Sequence, residues 1–227
     1  PSKEAQTAMA ALGIQFDARK DIASADISQQ FSTAVKELGE VQMLKVYTSG
    51  SFLDPAEVPR DATDVMLAYC ADRSTRLLVE SRPEYITAER MDAALSVHDD
   101  LEVAIGLESA NDDVLRYSIN KGFTVADYDR AAALLVDKGV GLRTYVLLKP
   151  PYLTEAEAVA DTVATVKHAA ATSSVISINP VNVQKRTVVE RMWRSWAYRP
   201  PWLWSVLSVL EQVSGTGRKI VCEPTGG

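Results

Sequence analysis

The chain has 227 residues, 47% hydrophobic and 24% charged, with a formal net charge of −6. This is enough for one large domain with a full core. The negative charge excludes the global basic field of a nucleic-acid binder, and the absence of any apolar run near 18 residues excludes a transmembrane helix. The two cysteines, Cys70 and Cys222, are too few for a disulfide scaffold. With no signal-peptide core in Pro1-Ser2-Lys3-Glu4-Ala5, reduced thiols and a cytoplasmic location are expected, with no membrane partner.

Apolar runs of strand length alternate with segments of helical period. The pattern predicts strands at 42–48, 75–81, 101–107, 140–148, 174–179 and 218–222. Helices are predicted at 24–38, 61–71, 88–97, 111–118, 125–138, 155–171, 185–197 and 202–213. Thr87, Thr124 and Thr154 stand where helix N-caps belong, the last with the capping-box form Thr154-Glu155-Ala156-Glu157. Gly139 suits the end of the helix before it. Runs such as Leu77-Leu78-Val79 and Val103-Ala104-Ile105 are too apolar for strands buried on one face, and call for central strands covered by helices. The alternation predicts an α/β fold with a parallel sheet, open or curled into a barrel, in a single domain over residues 1–227. Histidines 98 and 168 fall in no metal-ligand spacing.

Polar residues gather just after the strands, on the rim where parallel sheets bind ligands. Thr48-Ser49-Gly50-Ser51 suits a backbone-and-hydroxyl cradle for a small charged group, or a plain turn. In "VESRPEYI", Glu80 and Arg82 lie on one side of the chain. They suit the amino and carboxylate groups of an amino-acid-like ligand, or a structural ion pair. In "IGLESANDDVLRYSINKGFT", Gly106 leaves room beside a strand that Glu108 ends with an acceptor, and Lys121 follows the next helix. Acids at that helix start are equally expected from the helix dipole.

Together "VYTSGSFLDPAEVP", "ESRPEYIT", "GLESANDDVLRYSINKGFT", "LLKPPYLTEAEAV" and "INPVNVQKRTVVERMWRSWAYRPPWLWSVL" resemble the radical S-adenosylmethionine (SAM) superfamily. Within it they are most similar to the radical SAM subunit family of archaeosine synthase, related to elongator-type tRNA-modifying enzymes. The resemblance runs from Phe16 to the last residue. It implies a partial (β/α)6 TIM-like barrel whose cofactors are SAM and a [4Fe-4S] cluster. Ser49, Gly50 and Ser51 would meet the SAM amino group. Glu80 and Arg82 would serve the cofactor's polar ends, Gly106 would line the cofactor site, Glu108 would lie near the ribose, and Lys121 would face the carboxylate. The implied reaction is radical cleavage of a C–N bond in a lysine-adducted deazaguanine of tRNA, leaving archaeosine. The implied partners are tRNA and the lysine-transferase subunit.

The chain departs from that family in one respect: no CxxxCxxC motif is present, and by strand count the first barrel strand and its cluster loop are missing. A piece of a longer enzyme is therefore expected, inactive as it stands. The alternatives are a cluster-less scaffold that binds tRNA and the transferase without catalysis, and a phosphate-binding barrel enzyme. The latter calls for a glycine-rich loop that "SINPVNVQKR" does not supply.

Lys149, Asn179 and Gln184 are rim candidates for substrate contact. Between residues 181 and 213 lies an aromatic and basic segment with all four tryptophans, 193, 196, 202 and 204, and Arg191, Arg194 and Arg199. Rings and guanidiniums together can stack on unpaired bases and hold phosphates. Most of the tryptophans are nevertheless expected to pack the segment onto the barrel, with the arginines facing water, RNA or a partner.

Overall fold

The computed structural model describes residues 24–47 and 50–222. Six strands form one parallel sheet in the order of the chain: β1 (Met43–Val46), β2 (Arg76–Glu80), β3 (Leu101–Glu108), β4 (Gly141–Leu148), β5 (Val175–Pro180) and β6 (Lys219–Val221). Among the described residues β1 and β6 do not pair, so the sheet is a half-barrel. Helix α1 (Ser24–Val35) precedes it. The connections carry α2 (Arg60–Arg73), α3 (Ala88–Leu95), α4 (Val125–Asp137), α5 (Glu155–Ala169) and, between β5 and β6, α6 (Val188–Arg194) and α7 (Leu203–Val213). The sequence shows no first barrel strand or cluster loop ahead of this set, and residues 1–23 lie outside the described residues.

Parallel strands that neighbour one another in chain order take crossovers of one hand, which puts the helices on one face and lets the sheet curl away from them. The alternating side chains follow this division. Leu44, Leu77, Val79, Val103, Ile105, Leu107 and Leu142 join one core with the helices. Val146, Leu148, Ile176 and Ile178 join a second core, closed by Val209 and Val213 of α7. Each such side chain contributes roughly 1.5–3 kcal/mol of burial. Leu78 and Ala104 are buried as well, yet belong to neither core and face the concave side. The near-continuous apolar runs therefore come from helix cover on one side and barrel curvature on the other.

The three threonine caps form as their sequences require. Thr87, Thr124 and Thr154 each accept from the backbone N–H three residues on, the last two in full capping boxes. The predicted helix at 111–118 takes another form: a π-helical turn spans Val114–Ile119 and stops at Asn120, which has φ 57°. Asparagine tolerates that left-handed conformation, and the turn sends Lys121 back over the end of β3.

Glu155, the first residue of α5, ties the α6–α7 segment to the end of β4. Its carboxylate lies 2.7 Å from Lys149 Nζ and 3.1 Å from Arg199, and it accepts from Trp202 N at 2.9 Å and Ser205 Oγ at 2.5 Å. Tyr198 donates to the Lys149 carbonyl at 2.8 Å. Burial pushes the Glu155 carboxyl up, but the hydrogen bonds from Lys149, Ser205 and Trp202 and the Lys149 charge outweigh it and hold the pKa at about 2. A depressed carboxyl stabilises the fold above its unfolded value of 4.5 and loses that contribution as pH falls towards 2. Acid titration is expected to loosen the α6–α7 segment in this window. At neutral pH Glu155→Ala, which strands the buried Lys149 charge, should destabilise the protein by about 3 kcal/mol in urea unfolding.

Candidate active site

The three rim segments expected to share a ligand meet at the C-terminal ends of β1 to β3. Phe52 N donates to the Glu80 carbonyl at 2.8 Å, Ser81 N to the Ala104 carbonyl at 3.0 Å, and Arg82 N to Ser51 Oγ at 3.0 Å. Ser51 is fully buried by these contacts. Its own N–H donates to Glu57 Oε2 at 2.7 Å. A Cβ on Gly50 would collide with the same carboxylate, so the residue must be glycine for Glu57 to fold over it. The turn thus presents the Glu57 carboxylate, and the N–H group expected to cradle a ligand at Ser51 is already engaged. Ser49, with Thr48, lies outside the described residues.

At the end of β3 the register shifts between Gly106 and Glu108, and Glu108 takes φ 69°. A bulge with a left-handed glutamate re-aims the side chain back along the strand. Glu108 Oε1 there receives Lys121 Nζ at 2.8 Å, and the pair lies across Gly106. A Cβ at Gly106 would meet the Glu108 carboxylate and come within 2.8 Å of Lys121 Nζ. Behind the bulge, the buried Ser109 donates to Asp161 at 2.8 Å and accepts from Asn111 N at 3.1 Å, and Ala110 N donates to Thr165. These bonds fix the loop to α5.

Glu80 points into the concave side between these groups. Burial raises its carboxyl above the usual carboxylate range; a hydrogen bond from Tyr145 lowers it, Glu108 raises it and Lys121 lowers it. The Tyr145 phenol is itself pushed up, first by burial and then by the charge of Glu80, and it is also hydrogen-bonded to Tyr47. One layer deeper, Glu102 and Arg143 pair at 2.8 Å with side chains only 6% and 13% exposed. Arg82 turns outward: its Nε lies 2.5 Å from Glu84 and its guanidinium 5.7 Å from the Phe123 ring centre.

Of the predicted site residues, the structure brings together Gly50, Ser51, Glu80, Arg82, Gly106, Glu108 and Lys121. Lys149 is 5% exposed and engaged by Glu155, so it is part of the anchor for α6 and α7. Asn179 is on the lumen side beside Ser177, which donates to it at 3.2 Å. Gln184 and Arg191 are exposed. Arg194 pairs with Glu190, and Arg199 stacks 3.8 Å over Trp202. The expectation that the tryptophans pack this segment onto the barrel is corrected: Trp193, Trp196, Trp202 and Trp204 all face outward, and Ser205, Val209 and Val213 provide the buried face of α7. The sequence reading missed Tyr47, Glu57, Glu102, Arg143 and Tyr145. For Arg143 and Tyr145 a signal was available, because alternate residues of a strand share a face and the two are two apart in β4.

No protein-family model matches the chain. It is 42% identical over 190 residues to archaeosine synthase subunit beta of Methanosarcina acetivorans, covering 81% of this chain and 55% of that protein. It is 38% identical over 189 residues to the protein of the same name from Thermococcus kodakarensis, covering 81% and 58%. Over these residues the chain is a homologue of archaeosine synthase subunit beta. It spans little more than half the length of these relatives.

Among solved structures, the half-barrel matches Methanocaldococcus infernus Elp3, lacking its N-terminal residues, at TM-score 0.61 and 15% identity, over 88% of this chain and 51% of that one. Methylornithine synthase matches at TM-score 0.63 and 12% identity, over 87% and 54%. The same fold occurs in a radical SAM methyltransferase from Sphaerobacter thermophilus, at TM-score 0.61 and 12% identity over 92% and 60%. No described helix is long and apolar enough to cross a membrane.

Two substitutions test the electrostatics of the mouth. Tyr145→Phe removes the hydrogen bond that favours ionised Glu80, so the Glu80 carboxyl should titrate at still higher pH in carbon-detected NMR. Gly106→Ala meets only the mobile ends of two side chains. It should change stability by no more than about 1 kcal/mol while displacing the Glu108–Lys121 pair, seen as a changed Lys121 ammonium signal.

Proposed function

We propose that this chain is the cofactor-binding half-barrel of a radical SAM enzyme that modifies tRNA, and that the protein containing it forms archaeosine by cleaving a C–N bond of a lysine-adducted deazaguanine. The observation that carries the reading is Glu80. It is a carboxylate drawn into the mouth of the half-barrel, hydrogen-bonded to Tyr145 and without an ion pair among the described residues. Such a group favours a cationic ligand, whose charge would offset the cost of keeping it ionised. SAM carries an ammonium and a sulfonium for that purpose, a carboxylate for the cation at the rim, Lys121, and ribose hydroxyls for Glu108. The relatives' shared name supports the choice of tRNA product and of a partner subunit.

When SAM is bound to a reduced [4Fe-4S] cluster it supplies a radical that abstracts hydrogen. No group of three or more His, Cys, Asp or Glu residues suited to a metal occurs among the described residues. Cys70 is buried in α2, with its thiol pushed up to about 11 by burial. Cys222 follows β6 at the far edge of the sheet. The described residues therefore do not fit the cluster, whose ligands the reading assigns to a part of the longer protein outside this chain. The contribution of this chain is to bind and orient the cofactor, and to keep water from the concave face.

Calorimetry with SAM tests the binding step. Affinity should fall as pH drops through the raised Glu80 range, since protonation removes the charge that the ligand needs. Glu80→Gln should abolish that pH dependence and weaken binding by about tenfold or more. The reaction is tested with the full-length protein, reconstituted anaerobically with iron and sulfide and given its partner subunit and adduct-bearing tRNA. The expected products are 5′-deoxyadenosine and archaeosine, read by mass spectrometry. A protein that loads iron and binds SAM but never cleaves it would overturn the catalytic reading and leave the scaffold.

A further inference from the structure

Helix α7 is apolar on both faces. Val209 and Val213 are buried against the half-barrel, while Leu203 and Trp204, on its outer side, are 72% and 78% exposed and Leu207 is half exposed. Glu211 is its one charged residue. Grouped exposed apolar side chains of this size mark interaction sites.

The preceding helix adds to the face. At the end of α6, Ala197 N bonds to the Met192 carbonyl at 2.8 Å and Trp196 N to the Trp193 carbonyl at 3.1 Å. This is a Schellman ending, whose left-handed position suits glycine. Trp196 occupies it at φ 62° with 96% of its surface exposed. A bulky residue is strained there, and its ring contributes nothing to the core. Helix α7 and the turn that joins it to α6 are held at the barrel by Glu155, so this face has a fixed attachment.

The chemistry of the face selects its occupant. Rings beside arginines suit unpaired bases, but Leu203 and Leu207 offer no π-surface for stacking, whereas they do suit the apolar centre of a protein interface. Lys185, Arg186 and Arg191 are exposed and form no ion pair among the described residues. With Arg194 and Arg199 they set five cations against Glu190 and Glu211 over residues 185–213, in a chain whose net charge is −6. A two-fold pairing of this face would bring the like charges of two copies to one rim.

We propose that the outer face of α6 and α7 docks a different protein chain with an apolar centre and an acidic rim. The choice of probe rests on the reading above, and the probe is the other archaeosine synthase subunit. Hydrogen exchange on the full-length protein should show segment 188–210 slowed when that subunit is added. Leu207→Glu, on the exposed side, should weaken the association by about 30-fold while leaving thermal stability and SAM binding unchanged. Lys185→Glu should weaken it further at low salt than at high salt.

The proposal is overturned if the subunit does not bind, or binds without slowing this segment or sensing Leu207→Glu. It is equally overturned if the face is already protected in the full-length protein alone, if tRNA alone protects it, or if Leu207→Glu instead dissolves a homodimer. SAM cleavage is scored separately in the same preparation, so loss of this interface and failure of the functional reading give different results.

Discussion

In a parallel sheet whose strands follow one another in chain order, the crossover helices all lie on one face, and the other face is left to curve around a hollow. That constraint organises this protein. The helix side takes the aliphatic residues of β1 to β5 into two cores. The hollow side collects Tyr47, Glu80, Glu102, Arg143, Tyr145, Ser177 and Asn179, a set that no single element could have assembled.

Within the hollow, opposite charges are distributed unevenly. Glu102 has Arg143 and Glu108 has Lys121, but Glu80 has a phenol. A carboxylate whose partner is a neutral hydroxyl keeps most of its field for a ligand, and burial strengthens that field by lowering the local dielectric. The irregularities of the chain serve the same arrangement. The bulge and positive φ at Glu108, the glycine at 106 and the π-turn before Lys121 together lay one ion pair across a strand end. The glycine at 50 lets Glu57 close over the neighbouring turn.

The rim and the α6–α7 segment are joined through Glu155. One carboxylate binds a lysine at the end of β4, an arginine, a backbone N–H and a serine hydroxyl of the segment that follows β5. Lys149 reads in the sequence as a rim residue free to meet substrate, yet it is buried in that network. The tryptophans nearby read as core and are exposed. Both differences have the same cause: a local pattern gives the identity of a side chain but not which of several neighbouring surfaces will cover it.

The sequence by itself determined the alternation of strands and helices, because hydrophobic period and threonine caps act over a few residues. It also determined the three segments that form the mouth, because strand ends in such a fold share one rim. Tertiary structure alone decided that Glu57 closes over Gly50, that Tyr145 reaches Glu80, that Glu155 holds Lys149, and that one face of α7 stays uncovered. Each of these is a contact between parts of the chain distant in sequence, set by the curvature of the sheet, and no short-range pattern carries that information.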